Sequence, residues 1–163
     1  VKKIILISLF SFTSLFGFGI GNYQISPEFG ANLAFQDSGK GTFSYGGYAR
    51  VWLGVSRIVI APAFKYDVIT KENNLSTAYK NMQIGGLIGF EIPIIPLTPY
   101  IGGSYSTFSG GYEDTASFNY GVKFKIPIIR VTIGLDGTYQ KPKNIYGNRA
   151  NMNRIGATIG FQF

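Results

Sequence analysis

Apolar and polar residues alternate along most of this chain, in runs of strand length. From Glu28 to Gln36, one set is Phe29, Ala31, Leu33 and Phe35, and the other is Glu28, Gly30, Asn32 and Gln36. A period of two sends successive side chains to opposite faces of a β-strand, so this run predicts a strand with one apolar face. The pattern returns at 43–55, 59–68, 81–92, 97–108, 116–126, 131–140 and 153–163, which makes eight expected strands. The sixth is the clearest, with Ala116, Phe118, Tyr120, Val122, Phe124 and Ile126 against Ser117, Asn119, Gly121, Lys123 and Lys125. Between the runs, polar loops (Asp37 to Gly41, Ile69 to Ala78, one opening at Ser109-Gly110-Gly111, and Lys141 to Asn151) alternate with short turns at Ser56-Arg57, Pro93 to Pro96 and Pro127-Ile128.

A weak internal repeat supports a meander of antiparallel strands. Phe90-Glu91-Ile92-Pro93-Ile94-Ile95 recurs as Phe124-Lys125-Ile126-Pro127-Ile128-Ile129, and in the same register Gly103-Ser104-Tyr105 recurs as Gly137-Thr138-Tyr139. The runs are long, and at a rise of ~3.4 Å and a tilt near ~40° they cover the ~25 Å apolar band of an outer membrane. A soluble barrel would turn its apolar side inward. Here the other face carries the charges, in company with Asn, Gln, Thr and Gly, and a small, polar, charge-paired face suits the interior of an eight-stranded barrel. The fold class expected is all-β, an eight-stranded antiparallel up-and-down transmembrane β-barrel.

On that reading Glu28, Asp67, Glu91 and Asp136 point into the lumen with Arg50, Lys65, Lys123, Lys125 and Arg154. The bland expectation is an ion-pair network that fills the interior, since an unpaired buried charge is costly. The alternative is a narrow ion path gated by the same pairs. Placing the loops on one side and the short turns on the other puts Tyr45, Tyr66, Tyr105, Tyr120 and Tyr139 on the apolar face at the loop end. Phe29, Phe90, Phe124, Phe161 and Phe163 fall at the turn end. Aromatic side chains suit the two membrane interfaces, and a Tyr ring is apolar while its hydroxyl stays wet. Pro62 and Pro99 interrupt this regularity: each forfeits a ladder bond unless it marks a bulge near the rim.

Residues 1–19 read as a secretory signal peptide, with Lys2 and Lys3 before an apolar stretch and Gly17-Phe18-Gly19 supplying small residues for cleavage. The barrel domain is then expected over 22–163. Only 14% of the 163 residues are charged and 16% are aromatic, an inventory tolerable for a protein whose outside is lipid. The net charge of +7 is dispersed without a Lys/Arg run, which argues against nucleic acid as a partner. Both Cys and His are absent, so the usual general base, nucleophile pairings and thiolate metal sites are missing. No enzymatic activity, catalytic residue, cofactor or metal is expected.

Taken together, these features resemble the small eight-stranded bacterial outer-membrane barrels of the OmpA/OmpX type, and Pro99-Tyr100-Ile101-Gly102-Gly103 resembles a run found in such domains. The resemblance covers 22–163. It implies a monomer in the outer membrane, with lipid and lipopolysaccharide around it and the barrel-assembly machinery as a partner during biogenesis. It also implies that Phe161 and Phe163, on a closing strand that ends in an aromatic residue, carry the assembly signal. The functional expectation is a structural or surface-interaction role in the cell envelope, with basic loops suited to anionic headgroups or acidic partners.

Overall fold

The computed structural model describes residues 18–20, 23–37, 42–70, 78–126 and 128–163. A three-residue strand, β1(Phe18–Ile20), precedes eight long ones: β2(Tyr23–Asp37), β3(Thr42–Val55), β4(Ile58–Ile69), β5(Tyr79–Phe90), β6(Leu97–Phe108), β7(Thr115–Ile126), β8(Val131–Gln140) and β9(Met152–Gln162). Each pairs antiparallel with the next, and β9 returns to β2 in register from Glu28↔Gln162 to Asp37↔Asn153. The fold is an eight-stranded antiparallel closed barrel. Strands β2 to β9 are 10 to 15 residues long, longer than the ~5–6 of an average soluble strand.

Most boundaries lie within two residues of those expected, but two differ for physical reasons. Strand β2 begins at Tyr23 rather than Glu28, and the alternation runs through Pro27. The Pro27 carbonyl accepts from the Phe163 N–H at 2.9 Å, so the proline nitrogen points to the same side, just beyond Glu28↔Gln162, the last pair of the β2–β9 ladder, where a missing donor costs least. Strand β5 ends at Phe90 rather than 92, because the Ile92 N–H turns to the Leu97 carbonyl (3.0 Å) and closes a tight reversal. Residues 1–17, most of the expected signal peptide, lie outside the described residues, as do 71–77 of the expected second loop and parts of the other connections. Phe18–Ile20 pairs with Tyr23–Ile25 on the edge of β2 that β9 leaves uncovered.

Neither interior proline makes a bulge. Across Pro62 the β3–β4 register is unchanged from Arg50↔Ala63 to Leu53↔Ile60, and only the pairings of Val51 and Trp52 are absent. The forfeited bond is therefore on the β3 side, while Pro62↔Gly86 holds on the other. Pro99 pairs with Val122 and stands just beyond Gly89↔Tyr100, the last pair of the β5–β6 ladder.

The side chains sort by parity, and the usual sense of inside and outside is reversed. Leu33, Phe43, Ile84 and Leu135 stand exposed on the outer wall, while Glu28, Gln36, Asp67, Asn81 and Arg154 are buried within. The interior is not polar throughout: Trp52, Val59, Ala61, Leu87 and Tyr100 pack there as one apolar cluster in the half nearer the short turns. Room for such large inward groups comes from glycine on neighbouring strands. A Cβ at Gly121 would stand 2.5 Å from the Tyr100 hydroxyl, whereas one at Gly103 on the outer face would meet nothing nearer than 3.8 Å.

Gly121→Leu is therefore expected to lower the stability of the refolded barrel by about 1–3 kcal/mol through overpacking, and Gly103→Ala to leave it within about 0.5 kcal/mol. Urea unfolding in detergent, followed by the fluorescence of the single Trp, measures both. Equal midpoints would contradict the close packing described.

Candidate functional site

Three carboxylates organise the lumen, each on a different strand. Glu28, on β2 near the short-turn end, accepts hydrogen bonds from the Tyr48 hydroxyl at 2.9 Å, the Thr132 hydroxyl at 3.1 Å and the Trp52 indole N–H. The Lys123 ammonium lies 3.6 Å away, donates to Gln162 Oε1 at 2.9 Å and sits 4.0 Å from the centroid of the Trp52 ring. One carboxylate thus ties β2 to β3, β7 and β8, and through Lys123 to β9. All of these groups are buried, so each interaction acts in a medium of low dielectric where an unpaired partner would be costly.

The second and third carboxylates share a lysine. Lys65 Nζ is 2.6 Å from Asp136 Oδ2 and 4.0 Å from Asp67 Oδ2, and the Tyr100 hydroxyl donates to Asp136 Oδ1 at 3.0 Å. Asp67 also accepts from Asn32 Nδ2 at 2.6 Å and pairs with Arg154 Nη1 at 2.9 Å. That last contact is an ion pair whose angle misses hydrogen-bond geometry. The other arm of the guanidinium, Nη2, donates to Asn81 Oδ1 at 2.6 Å, and Gln83 donates to the same oxygen at 2.7 Å.

Arg50 stands between these knots. It forms no ion pair with a carboxylate among the described residues; its guanidinium lies 4.1 Å from the Tyr48 ring centroid and 5.1 Å from that of Tyr100. The carboxylates of Glu28 and Asp136 supply its opposite charge from beyond ion-pair distance, and the desolvated cation–π contacts hold it between them. A cavity of about 30 Å³ beside it is lined by Arg50, Lys65, Gln83, Ser104 and Asn119 among others, space for roughly one or two waters. Toward the loops neutral side chains surround the Asp67–Arg154 pair: Ser106 and Ser117 both donate to Gln140 Oε1 at 3.0 Å, Thr138 to Asn119 at 3.0 Å, and Gln36 to the Tyr79 hydroxyl at 2.7 Å.

Of the nine expected lumen charges, seven lie in this interior. Glu91 and Lys125 do not: they stand at the short-turn mouth, where a cavity of about 240 Å³ opens between Gln24, Glu91, Thr98, Lys123 and Lys125. The cause is the early end of β5, which leaves Glu91 in the turn, bonded by Gln24 Nε2 at 2.8 Å. Tyr48, Trp52, Tyr100 and Thr132 complete the charged knots, although nothing in their residue types marks them as lumen partners. The available signal was their parity, which they share with the carboxylates they serve.

The five girdle tyrosines all face outward. Tyr45, Tyr66, Tyr105 and Tyr139 sit in the loop-side part of their strands, and Tyr120 nearer mid-strand, where it crosses Gly137 and donates to Asn153 Oδ1 at 3.0 Å. At the other end Phe29 stacks on Phe163 with centroids 5.6 Å apart and meets Phe161 at 6.4 Å, over the seam of β2 and β9. Among the described residues no group of three or more His, Cys, Asp or Glu side chains stands close enough to hold a metal ion.

Removing one member of a buried ion-pair network leaves its partners uncompensated, so Asp67→Ala is expected to cost about 3–5 kcal/mol of barrel stability. Glu91→Ala, at the wet mouth, is expected to cost about 1 kcal/mol or less. Denaturant midpoints of the two refolded variants decide between this ranking and an interior in which charge placement is immaterial.

No protein-family model and no curated protein matches the chain. Solved structures do share its fold. Neisserial surface protein A aligns with a TM-score of 0.61 at 15% identity, over 85% of this chain and 95% of that one. Ail, the attachment invasion locus protein of Yersinia pestis, aligns with a TM-score of 0.58 at 12% identity, over 88% of this chain and 100% of that one. Ail in complex with the heparin analogue sucrose octasulfate aligns at 0.52 with 13% identity and the same coverage. At these identities the likeness is one of fold: the chain has the architecture of small bacterial outer-membrane barrels.

Proposed function

We propose that this chain is a non-enzymatic, monomeric outer-membrane barrel of the OmpA/OmpX type that works as a surface-interaction protein of the cell envelope. Residues 1–19 direct export and 22–163 form the barrel. The observation that carries the reading is the inversion itself: an outer wall of exposed apolar side chains around a lumen of buried, mutually paired charges. Such a wall needs lipid as its solvent, and aromatic rings at both ends of it suit the two interfaces. Interaction is assigned to the loop end because that is where residues are committed neither to lipid nor to the lumen.

One loop there is a built structure. In Lys141 to Asn151, the Asn144 side chain accepts from the backbone N–H groups of Tyr146 (3.0 Å) and Asn148 (2.9 Å), Gly147 takes a positive φ of 78°, and Lys143 bridges Arg149. The Glu113 N–H donates to the Lys143 carbonyl at 2.8 Å, which docks the loop on its neighbour. Lys141, Lys143 and Arg149 are exposed on it, and a fixed basic surface favours anionic partners such as lipopolysaccharide headgroups or acidic polymers. The heparin analogue bound by Ail is a partner of that chemistry.

The porin-like alternative has less support. The interior cavity of about 30 Å³ beside Arg50 is too small for a continuous aqueous path, and the paired charges occupy the remaining cross-section. Refolded protein is expected to show β-type circular dichroism, heat-modifiable migration and no steady conductance in planar bilayers. A persistent open channel altered by Lys123→Met would replace this reading with the pore. Failure to enter bilayers or detergent at all would remove both.

Phe163 and Phe161 are assigned the assembly signal, with the Phe29–Phe163 stack and the Phe163 N–H to Pro27 bond as the contacts they make after closure. Deleting Phe163 is expected to reduce barrel insertion in cells while export across the inner membrane continues. Unchanged yield of inserted barrel would count against that role.

A further inference from the structure

The short-turn end is not uniformly polar. Between β3 and β4 the reversal is Ser56-Arg57, with Ser56 at a φ of 62°. The two other turns at this end carry isoleucine pairs from the internal repeat, and the first of each pair is the most exposed large apolar side chain of its turn: Ile94 is fully exposed and Ile128 is 90% exposed, with Ile129 at 57%. Ile94 has a φ of 79°. The left-handed region suits glycine and is a true outlier for a β-branched residue, so this turn holds an isoleucine outward at a backbone cost that glycine would have avoided. The turn itself is well made: the Ile92 N–H bonds Leu97 O at 3.0 Å, the Leu97 N–H bonds Ile95 O at 2.6 Å, and the Lys125 N–H reaches Pro96 O at 2.9 Å.

The apolar wall runs into these turns without a polar collar. Phe90, Ile88, Ile101 and Ile133 are exposed on the wall directly above them. Around the turns the charged side chains of the described rim are Arg57, Lys125 and Arg130 against Glu91, and Glu91 is held by Gln24. Cations beside an apolar surface match the chemistry of an anionic phospholipid leaflet, with isoleucine at the acyl boundary and the basic heads among the phosphates.

We propose that the turns at 92–96 and 128–130 form an apolar foot that inserts Ile94 and Ile128 into the anionic phospholipid leaflet on the short-turn side. The β3–β4 turn stays in water, so the barrel is immersed more deeply along β5 to β8 than along β3 and β4. The proposal rests on the reading of the wall as membrane-spanning and goes beyond it, because a spanning barrel with all its turns in water is equally able to cross.

The chain has no cysteine, so single spin labels test the proposal on the full refolded chain in vesicles of phosphatidylethanolamine and phosphatidylglycerol. Labels are placed at Ile94→Cys and Ile128→Cys, with Ile133→Cys and Phe90→Cys as wall positions and Ser56→Cys as the water-facing turn. The expected result is that oxygen reaches the labels at 94 and 128 in preference to a water-soluble nickel chelate, at a depth parameter near that of Phe90→Cys, while Ser56→Cys favours nickel. Nickel-dominated collisions at either 94 or 128 overturn the foot. Nickel-dominated collisions at Ile133→Cys overturn instead the membrane-spanning reading beneath it. Where a variant loses heat-modifiable migration, Pro93→Cys and Ile129→Cys replace the turn positions and are read the same way.

Discussion

Everything in this barrel depends on the β2–β9 ladder. A sheet with apolar faces turned outward can exist in lipid only if none of its backbone donors and acceptors is left without a partner, and closure is what removes the two edges. The ladder from Glu28↔Gln162 to Asp37↔Asn153 supplies the bonds that neither strand could find elsewhere. Its register also fixes what faces what. Because a slip of one residue exchanges the two faces, the same pairing that closes the wall sends Arg154 and Gln162 inward and Ile155 and Phe161 outward.

Closure then creates a second problem, which the lumen side chains solve. Eight strands enclose a space only as wide as the side chains that fill it. Filling it with charge means desolvating that charge, and the geometry compensates by giving each of the three lumen carboxylates hydrogen-bond donors or cations drawn from different strands. Glu28 receives three hydrogen bonds and an ammonium; Asp136 receives Lys65 and Tyr100. Removing a single member would leave its partners buried and uncompensated, which is why such a network resists partial substitution more than an apolar core of equal volume. The apolar cluster around Trp52 and Leu87 lies in the same half as the Glu28 knot, so the indole serves both: its ring packs and its N–H bonds the carboxylate.

Parity alone made the strands, their order, the inverted faces and most of the lumen charges legible in the sequence, because a two-residue period is insensitive to everything except the direction of the side chain. What parity does not carry is depth. Glu91 and Lys125 share the parity of Lys123 yet end at the mouth, since the position of a residue along the barrel axis depends on where the strand ends: the Ile92–Leu97 bond closes its turn early and leaves Glu91 outside β5, and Lys125 stands one residue from the end of β7. Large aromatic residues on the inward face were equally hard to assign. Tyr48, Trp52 and Tyr100 are ordinary lipid-facing types placed inside, and the two tyrosines fit there because of glycines on neighbouring strands that only the register brings opposite them, Gly30 to Tyr48 and Gly121 to Tyr100. Pro62 was legible as a lost bond but not as a gap confined to one side of its strand, because only the register shows which neighbour loses the partner.

The same parity bears on the proposal that recognition belongs to the connections rather than the wall. On each strand an outward residue answers to lipid and an inward one to a lumen neighbour already short of space, so a substitution at either disturbs the fold before it could tune a partner. The loop from Lys141 to Asn151 is under neither constraint. Its shape comes from its own backbone bonds, the Asn144 side chain and backbone bonds to the neighbouring connection at Gly111 and Glu113, which leaves the side chains of Lys143, Ile145, Tyr146 and Arg149 exposed. A wall that tolerates little change and a loop held outside it by backbone bonds within the connections are complementary consequences of one closed sheet, and that division lets barrels of this architecture diverge in sequence while their strands remain superposable.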